Sequence, residues 1–242
     1  MISPKQIEKA TMTPEKRTMA HNDYFAFYIG RPMSYVLTIP FLYTSITPNQ
    51  VTLLSIIPLL VGFVLMYIGD SILIFYIGWL CFFLWNLLDG VDGNIARFKK
   101  QFSKMGSVYD AMAGYVAMVL SPFAWGITAA HHPGWFQGLF NFPIDIYIIL
   151  GALSGIFTIF PRFIMHKAMT TLNDGNSFGV KDKSNFSLSK TIALNLTSCT
   201  GFMQVLMLMC IPFKAFDIFT LIYFFINGIV MLGSLYSIFK NS

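Results

Sequence analysis

The sequence predicts an all-α, polytopic membrane protein with six transmembrane helices and an N-terminal amphipathic helix lying in the interface. Three observations carry that prediction. The 242-residue chain is 55% hydrophobic and only 11% charged, with a mean hydropathy of +0.63, whereas a soluble domain carries about a quarter charged residues. So few polar groups cannot cover a globule in water, and the surface must face lipid. The apolar residues gather into six stretches, 50–69, 71–98, 106–130, 143–167, 190–212 and 215–239, each near the ~20 residues that a helix needs to cross a bilayer. The positive charges also segregate. With the N-terminus in the cytoplasm, Lys214 alone of the 16 lysines and arginines falls on the far side, while Arg162 lies inside the fourth helix near its cytoplasmic end. Such asymmetry sets orientation and puts both termini in the cytoplasm.

The first 22 residues, MISPKQIEKATMTPEKRTMAHN, are polar and lack the apolar core of a cleavable signal peptide. Residues 23–47 are aromatic and apolar, but Pro32 and Pro40 interrupt them, so an interfacial helix fits better than a span. Residues 1–47 thus form a cytoplasmic N-terminus with its interfacial helix, and 48–242 a six-helix transmembrane domain. No repeat or low-complexity linker divides it. Cys81, Cys199 and Cys210 all fall in apolar runs and read as small core residues, not a disulfide framework or metal cluster. The net charge of +5 follows from topology and suits anionic headgroups or substrates; no nucleic-acid partner is expected.

The second span ends in the one acid-rich place. Asp89 and Asp92 stand at i, i+3, about 60° apart on one helix face. Gly93 and Ala96 continue that face with almost no side-chain bulk, so something approaches the backbone closely there, and Arg97 follows at the membrane surface. At the start of the third span Gly106, Asp110 and Gly114 repeat at i, i+4. Two antiparallel helices joined by a short basic loop, with Lys99, Lys100 and Lys104, bring the Asp110 face against the Asp89/Asp92 face. Three converging carboxylates repel one another, and a divalent cation resolves the repulsion. All-oxygen ligands suit Mg²⁺, with Mn²⁺ or Ca²⁺ as alternatives. Mg²⁺ usually shares its shell with substrate phosphates, so a phosphate-bearing substrate is expected across the small-residue face, its charge offset by Arg97. Solvated acids at helix ends are the bland alternative, but intramembrane acids are costly and mark function.

The fourth span closes on FPRFIMHKAMTTL, with Arg162 and His166 at i, i+4. They are either an acceptor pocket for a phosphate or polyol, or side chains snorkelling to the interface; Lys167 reads as solvated. NLTSCTG, Asn195 to Gly201, is polar for the middle of the fifth span. It either lines a cavity or packs and hydrogen-bonds between helices. The glycosylation-like triplets at Asn185 and Asn195 fall in the cytoplasm and the membrane and are set aside. His131, His132 and Trp135 read as interface residues on the far side.

The segment from Asp89 to Gly114 resembles the signature of the CDP-alcohol phosphatidyltransferase family, D-x-x-D-G-x-x-A-R, about eight residues, then G-x-x-x-D-x-x-x-D. Asp89, Asp92, Gly93, Ala96, Arg97, Gly106 and Asp110 match it. Upstream, Thr47 to Thr52, TPNQVT, resembles the family's P-N-x-x-T. The resemblance implies a homodimer in a bacterial inner membrane with its site open to the cytoplasm, a CDP-alcohol or CDP-diacylglycerol donor, a hydroxyl acceptor (polyol, polyol phosphate or sugar), and CMP as leaving group. It implies Asp89, Asp92 and Asp110 as metal ligands, and Asn49, Thr52, Asp89, Gly93, Ala96, Arg97 and Gly106 around the CDP donor.

The last motif position departs: Gly114 stands where the family has its aspartate base. Either another residue, His166 or Tyr115, supplies the base; or the acceptor needs none; or the chain binds without catalysis; or the substitution is engineered. An altered, metal-dependent transferase is favoured over a catalytically silent CDP-lipid and metal binder. A transporter using the three acids as a cation path is disfavoured, because all three sit at one membrane face rather than near the midplane.

Overall fold

A computed structural model describes residues 2–172 and 188–240. Lys181, Lys183 and the triplet at Asn185 lie outside the described residues. Among the described residues the chain is entirely helical, in eleven α-helices. Five of them are long and apolar enough to cross a membrane: α4 (Pro48–Ile68), α5 (Ile72–Phe98), α6 (Gly106–His131), α8 (Asp145–Leu172) and α11 (Phe216–Lys240). α4 packs on α5 and α6, α6 on α8, and α8 on α11. Their core holds Trp85, Trp125, Phe82, Tyr147, Phe216 and Tyr223.

Local sequence explains most of the helix starts. Thr47 and Gln50 form a capping box at α4, with the Thr47 amide donating to Gln50 Oε1 at 2.9 Å and Pro48 in the first turn. Small residues then set how closely helices cross. A Cβ on Gly126 would lie 2.4 Å from the Tyr147 carbonyl oxygen, and one on Gly151 2.6 Å from that of Pro122. Glycine at both places lets α6 and α8 touch backbone to backbone, the usual solution where apolar surface alone does not drive association.

The expectation of one continuous helix over 190–212 is corrected. That stretch is two helices, α9 (Leu188–Thr197) and α10 (Met203–Phe213), separated by a turn. The exposed backbone of the break is satisfied from α5: Asn86 donates to the Thr200 carbonyl at 3.2 Å and Trp79 to that of Gln204 at 2.8 Å. Gln204 in turn donates to the Cys199 carbonyl at 2.9 Å. A broken helix survives at membrane depth only when protein groups make these bonds. Contacts at Asn86–Thr200, Trp79–Gln204 and Phe75–Phe216 run antiparallel along α5, so the chain from Thr200 to Phe216 lies along that helix in the opposite direction. The polar NLTSCTG stretch covers the last turn of α9 and most of the break.

The N-terminal region is more ordered than its composition suggests. Ser3 and Thr13 cap two short helices, α1 (Pro4–Thr11) and α2 (Pro14–His21). A π turn over Ala26–Gly30 then leads into α3 (Arg31–Leu42). Pro32 has no N–H to donate to the preceding turn, and the backbone widens there. α3 turns its polar residues inward: Ser34 and Thr38 are buried against α5, while Met33 and Val36 are exposed. The anchor is Asn94, which donates to the Ser34 and Thr38 hydroxyls at 3.2 and 3.1 Å. Ile7, Tyr35, Val51, Val91 and Ile95 form a second core beneath these helices. At the opposite end His131 and His132 contact the Tyr67 and Gly69 carbonyls at 3.1 and 2.7 Å, tying α6 to the end of α4. The cysteines are free, Cys199 buried and the others half-buried.

Candidate metal centre

α5 and α6 run antiparallel from a loop whose tightest point is Lys100, at φ 54°. Gln101 closes the turn by donating its amide to the Ala96 carbonyl at 2.8 Å. Ser103 then accepts from the Gly106 amide at 2.9 Å and from Asn49 Nδ2 at 3.1 Å. Asn49, from the first turn of α4, therefore sets where α6 begins. A side chain at Gly106 would crowd Asn49 Oδ1, at 3.3 Å. With that start fixed, Asp110 lies one turn into α6, facing α5.

The result is a tight cluster. One carboxylate oxygen from each of Asp89, Asp92 and Asp110 lies within 4.8 Å of the others. Asp92 is buried, Asp89 half-buried and Asp110 exposed. The Thr52 hydroxyl donates to Asp92 Oδ2, which orients that carboxylate toward its neighbours. Three anionic groups this close repel strongly. The donor set is all oxygen, graded from buried to open, and reachable from solvent at Asp110. It fits a hard divalent ion that completes its shell with ligands from outside the protein.

The acids line a cavity of about 210 Å³ shared with Gly93, Arg97, Asn86, Asn94, Arg31, Ser34 and Thr200, among others. Arg97 folds back one helical turn and donates to the Gly93 carbonyl at 2.5 Å. A Cβ on Gly93 would sit 2.7 Å from Arg97 Nη1. Glycine there lets the guanidinium lie flat on the helix beside the acids, so the close approach expected at this small-residue face is made by Arg97 itself. The neighbouring Gly90 serves α3, since a Cβ on it would meet Ser34 Cβ at 2.8 Å.

Of the residues singled out by sequence, Asp89, Asp92, Gly93, Arg97 and Asp110 share this cavity. Thr52 backs Asp92, and Asn49 and Gly106 meet each other. Ala96 lies half-buried on the same helix, outside the lining. Tyr115 and His166 are brought together, Oη to Nδ1 at 3.4 Å, across α6 and α8 and outside the cavity lining. Arg162 is exposed on α8, near enough to Cys199 in the helix break to act on it electrostatically. A Cβ on Gly114 would meet nothing within 4 Å, so the position opens into free space.

Seven lining residues were not anticipated: Ala26, Gly30, Arg31, Ser34, Asn86, Gly90 and Asn94. Asn86 and Asn94 carried a readable signal, as polar residues in an apolar helix. Thr200 belongs to a polar stretch whose role was left open. Nothing in the local sequence ties Arg31 or Ser34 to acids some sixty positions away.

The family model for CDP-alcohol phosphatidyltransferase matches residues 45–232. A search of curated proteins finds no match.

Proposed function

The chain belongs to the CDP-alcohol phosphatidyltransferase family, and from that premise we propose a metal-dependent membrane transferase that moves a phosphoalcohol or phosphatidyl unit from a CDP-linked donor to a hydroxyl acceptor, releasing CMP. The observation that carries this reading is the convergence of Asp89, Asp92 and Asp110 within 4.8 Å, in one cavity with Arg97.

Asp89, Asp92 and Asp110 would hold the ion, Mg²⁺ in preference to Mn²⁺ or Ca²⁺, which when bound offsets their repulsion and neutralises charge on a donor diphosphate. Thr52 keeps Asp92 aimed at the site. The donor would lie along the cavity beside Gly93 and Arg97, whose guanidinium offsets the charge of its phosphates. Asn49 and Gly106 hold the register between α4 and α6 on which Asp110 depends. The acceptor oxygen attacks the phosphorus distal to the cytidine monophosphate. A new P–O bond forms as the bond to the bridging oxygen breaks, and the electron pair leaves with CMP. Positioning and charge neutralisation do most of the work in such transfers. Arg162 and His166 on α8, which lie outside the cavity lining, would contact the acceptor. The acceptor proton passes to the His166–Tyr115 pair or, for an acidic acceptor, to water. We extend the proposal to six membrane crossings with both termini and the site on the cytoplasmic face of a bacterial inner membrane, and to a homodimer, on charge asymmetry and family grounds.

One observation favours the second reading, a catalytically silent CDP-lipid and metal binder. Among the described residues, and besides the three clustered acids, the cavity is lined by no carboxylate, histidine or tyrosine that could take a proton, and Gly114 supplies none. The deciding experiment is CMP release by purified protein with Mg²⁺, CDP-alcohols or CDP-diacylglycerol, and a panel of polyols, polyol phosphates and sugars. Metal-dependent release with one donor–acceptor pair is expected. Donor binding without release from any pair would select the silent binder, and absence of both would overturn the site.

A further inference from the structure

The family match begins at residue 45, yet one wall of the cavity is built from residues before it: Ala26, Gly30, Arg31 and Ser34. This wall is held firmly. Asn94 grips Ser34 and Thr38, and Asn195 in α9 accepts from the Tyr24 amide at 2.9 Å and donates to the Asn22 carbonyl at 2.6 Å. Arg31 therefore enters the cavity from a fixed helix rather than a loop, on a different element from Arg97.

The two guanidiniums differ: Arg97 lies beside the acids, whose charges favour it, whereas Arg31 adds a second cation to the same cavity. Among the described residues, neither Arg31 nor Arg97 lies within ion-pair distance of a carboxylate; the one such pair is Arg17–Glu8, elsewhere on the N-terminal helices. Arg97 donates to a backbone carbonyl. Arg31 Nε is buried with no hydrogen-bond partner. A third cation stands close by: Lys16, on α2, reaches the Thr11 carbonyl at 3.5 Å. Burial, then the charges of Arg97 and Arg31, push its ammonium down to about 7. A buried guanidinium donor facing a like charge is costly. A phosphate group resolves it, since guanidinium forks match phosphate oxygens two at a time.

We propose that Arg31, opposite Arg97 and backed by Lys16, is a phosphate-binding subsite that the segment before the family match adds to the cavity. The inference rests on the transferase reading for the source of the phosphate, either the donor's diphosphate or a phosphorylated acceptor. In both cases the segment 26–34 is part of substrate recognition, and not only a membrane-surface anchor.

The test is calorimetric titration of full-length protein in detergent with Mg²⁺, using CMP, CDP, and inorganic phosphate added to CMP-saturated protein. If the subsite holds the donor's second phosphate, Arg31→Met weakens CDP about tenfold and CMP far less. If it holds an acceptor phosphate, CDP is unchanged and inorganic phosphate weakens by a similar factor. Arg31→Lys, which keeps the charge but loses the fork, should recover part of the loss while eluting as wild type, separating recognition from misfolding. Equal affinities of wild type and both variants for all three probes overturn the subsite and leave the transferase reading untouched. A wild type that binds neither cytidine nucleotide overturns the transferase reading, and the inorganic-phosphate arm then decides the subsite alone.

Discussion

Asp92 is the residue where burial, hydrogen bonding and clustering coincide. It is 6% exposed, accepts from Thr52, and shares its oxygens' neighbourhood with Asp89 and Asp110. Asp92→Asn keeps the volume and an acceptor for Thr52 but removes a full charge from the hard-ion ligand set. The variant should fold with unchanged helicity and lose metal-dependent CDP-donor binding by more than about tenfold; equal titrations of variant and wild type would remove Asp92 from the site. Gly114 poses the complementary question. Because a Cβ there meets nothing within 4 Å, Gly114→Asp starts its side chain in open space. On the transferase reading that open space would admit the acceptor, and the added charge should slow the native reaction about tenfold, or about 1.4 kcal/mol of barrier, with CDP binding intact. The opposite outcome, robust CMP release gained by an inert wild type, would mean that Gly114 marks lost catalysis.

At the scale of elements, the N-terminal helices carry a charge penalty that pH can reveal. Lys16 titrates at about 7 when α2 is docked, whereas an unfolded lysine titrates near ~10.4. Between those values the unfolded chain holds a proton that the folded chain has released, so stability rises with pH across the window. Below about 7 both states are protonated and the penalty is full. Thermal unfolding in detergent should therefore show wild type gaining on Lys16→Met as pH rises from neutral toward ~10, with the variant's advantage largest at and below neutrality. Parallel curves would mean that neither burial nor the charges of Arg97 and Arg31 weigh on Lys16. Helix boundaries for α4, α5 and α6 were legible within a few residues, because capping chemistry and apolar periodicity are local. The break between α9 and α10 was visible only as an oddity of composition, since the side chains that make it tolerable, Asn86 and Trp79, come from another helix.

At the scale of the whole molecule, the broken α9–α10 segment decides topology. If it crosses with the five continuous spans, both termini face the same side. Single cysteines at Lys5→Cys and Lys240→Cys, in a background lacking Cys81, Cys199 and Cys210, should then be labelled together by an impermeant maleimide from the cytoplasmic side of vesicles; labelling from opposite sides would leave five crossings. By itself the sequence determined the membrane class, the orientation signal and the pairing of Asp89 and Asp92 on one face with Asp110 on the next. These depend on composition, on charge bias and on a 3.6-residue period, all readable over short distances. Only the tertiary structure decided that the N-terminal segment walls the site, that Arg31 stands opposite Arg97, and that Thr200 reaches the acids' cavity. Those neighbours are joined by bonds such as Asn94–Ser34 and Asn86–Thr200, 60 and 114 residues apart in the chain. Which distant side chains satisfy a buried polar group is set by helix packing, and no local pattern encodes it.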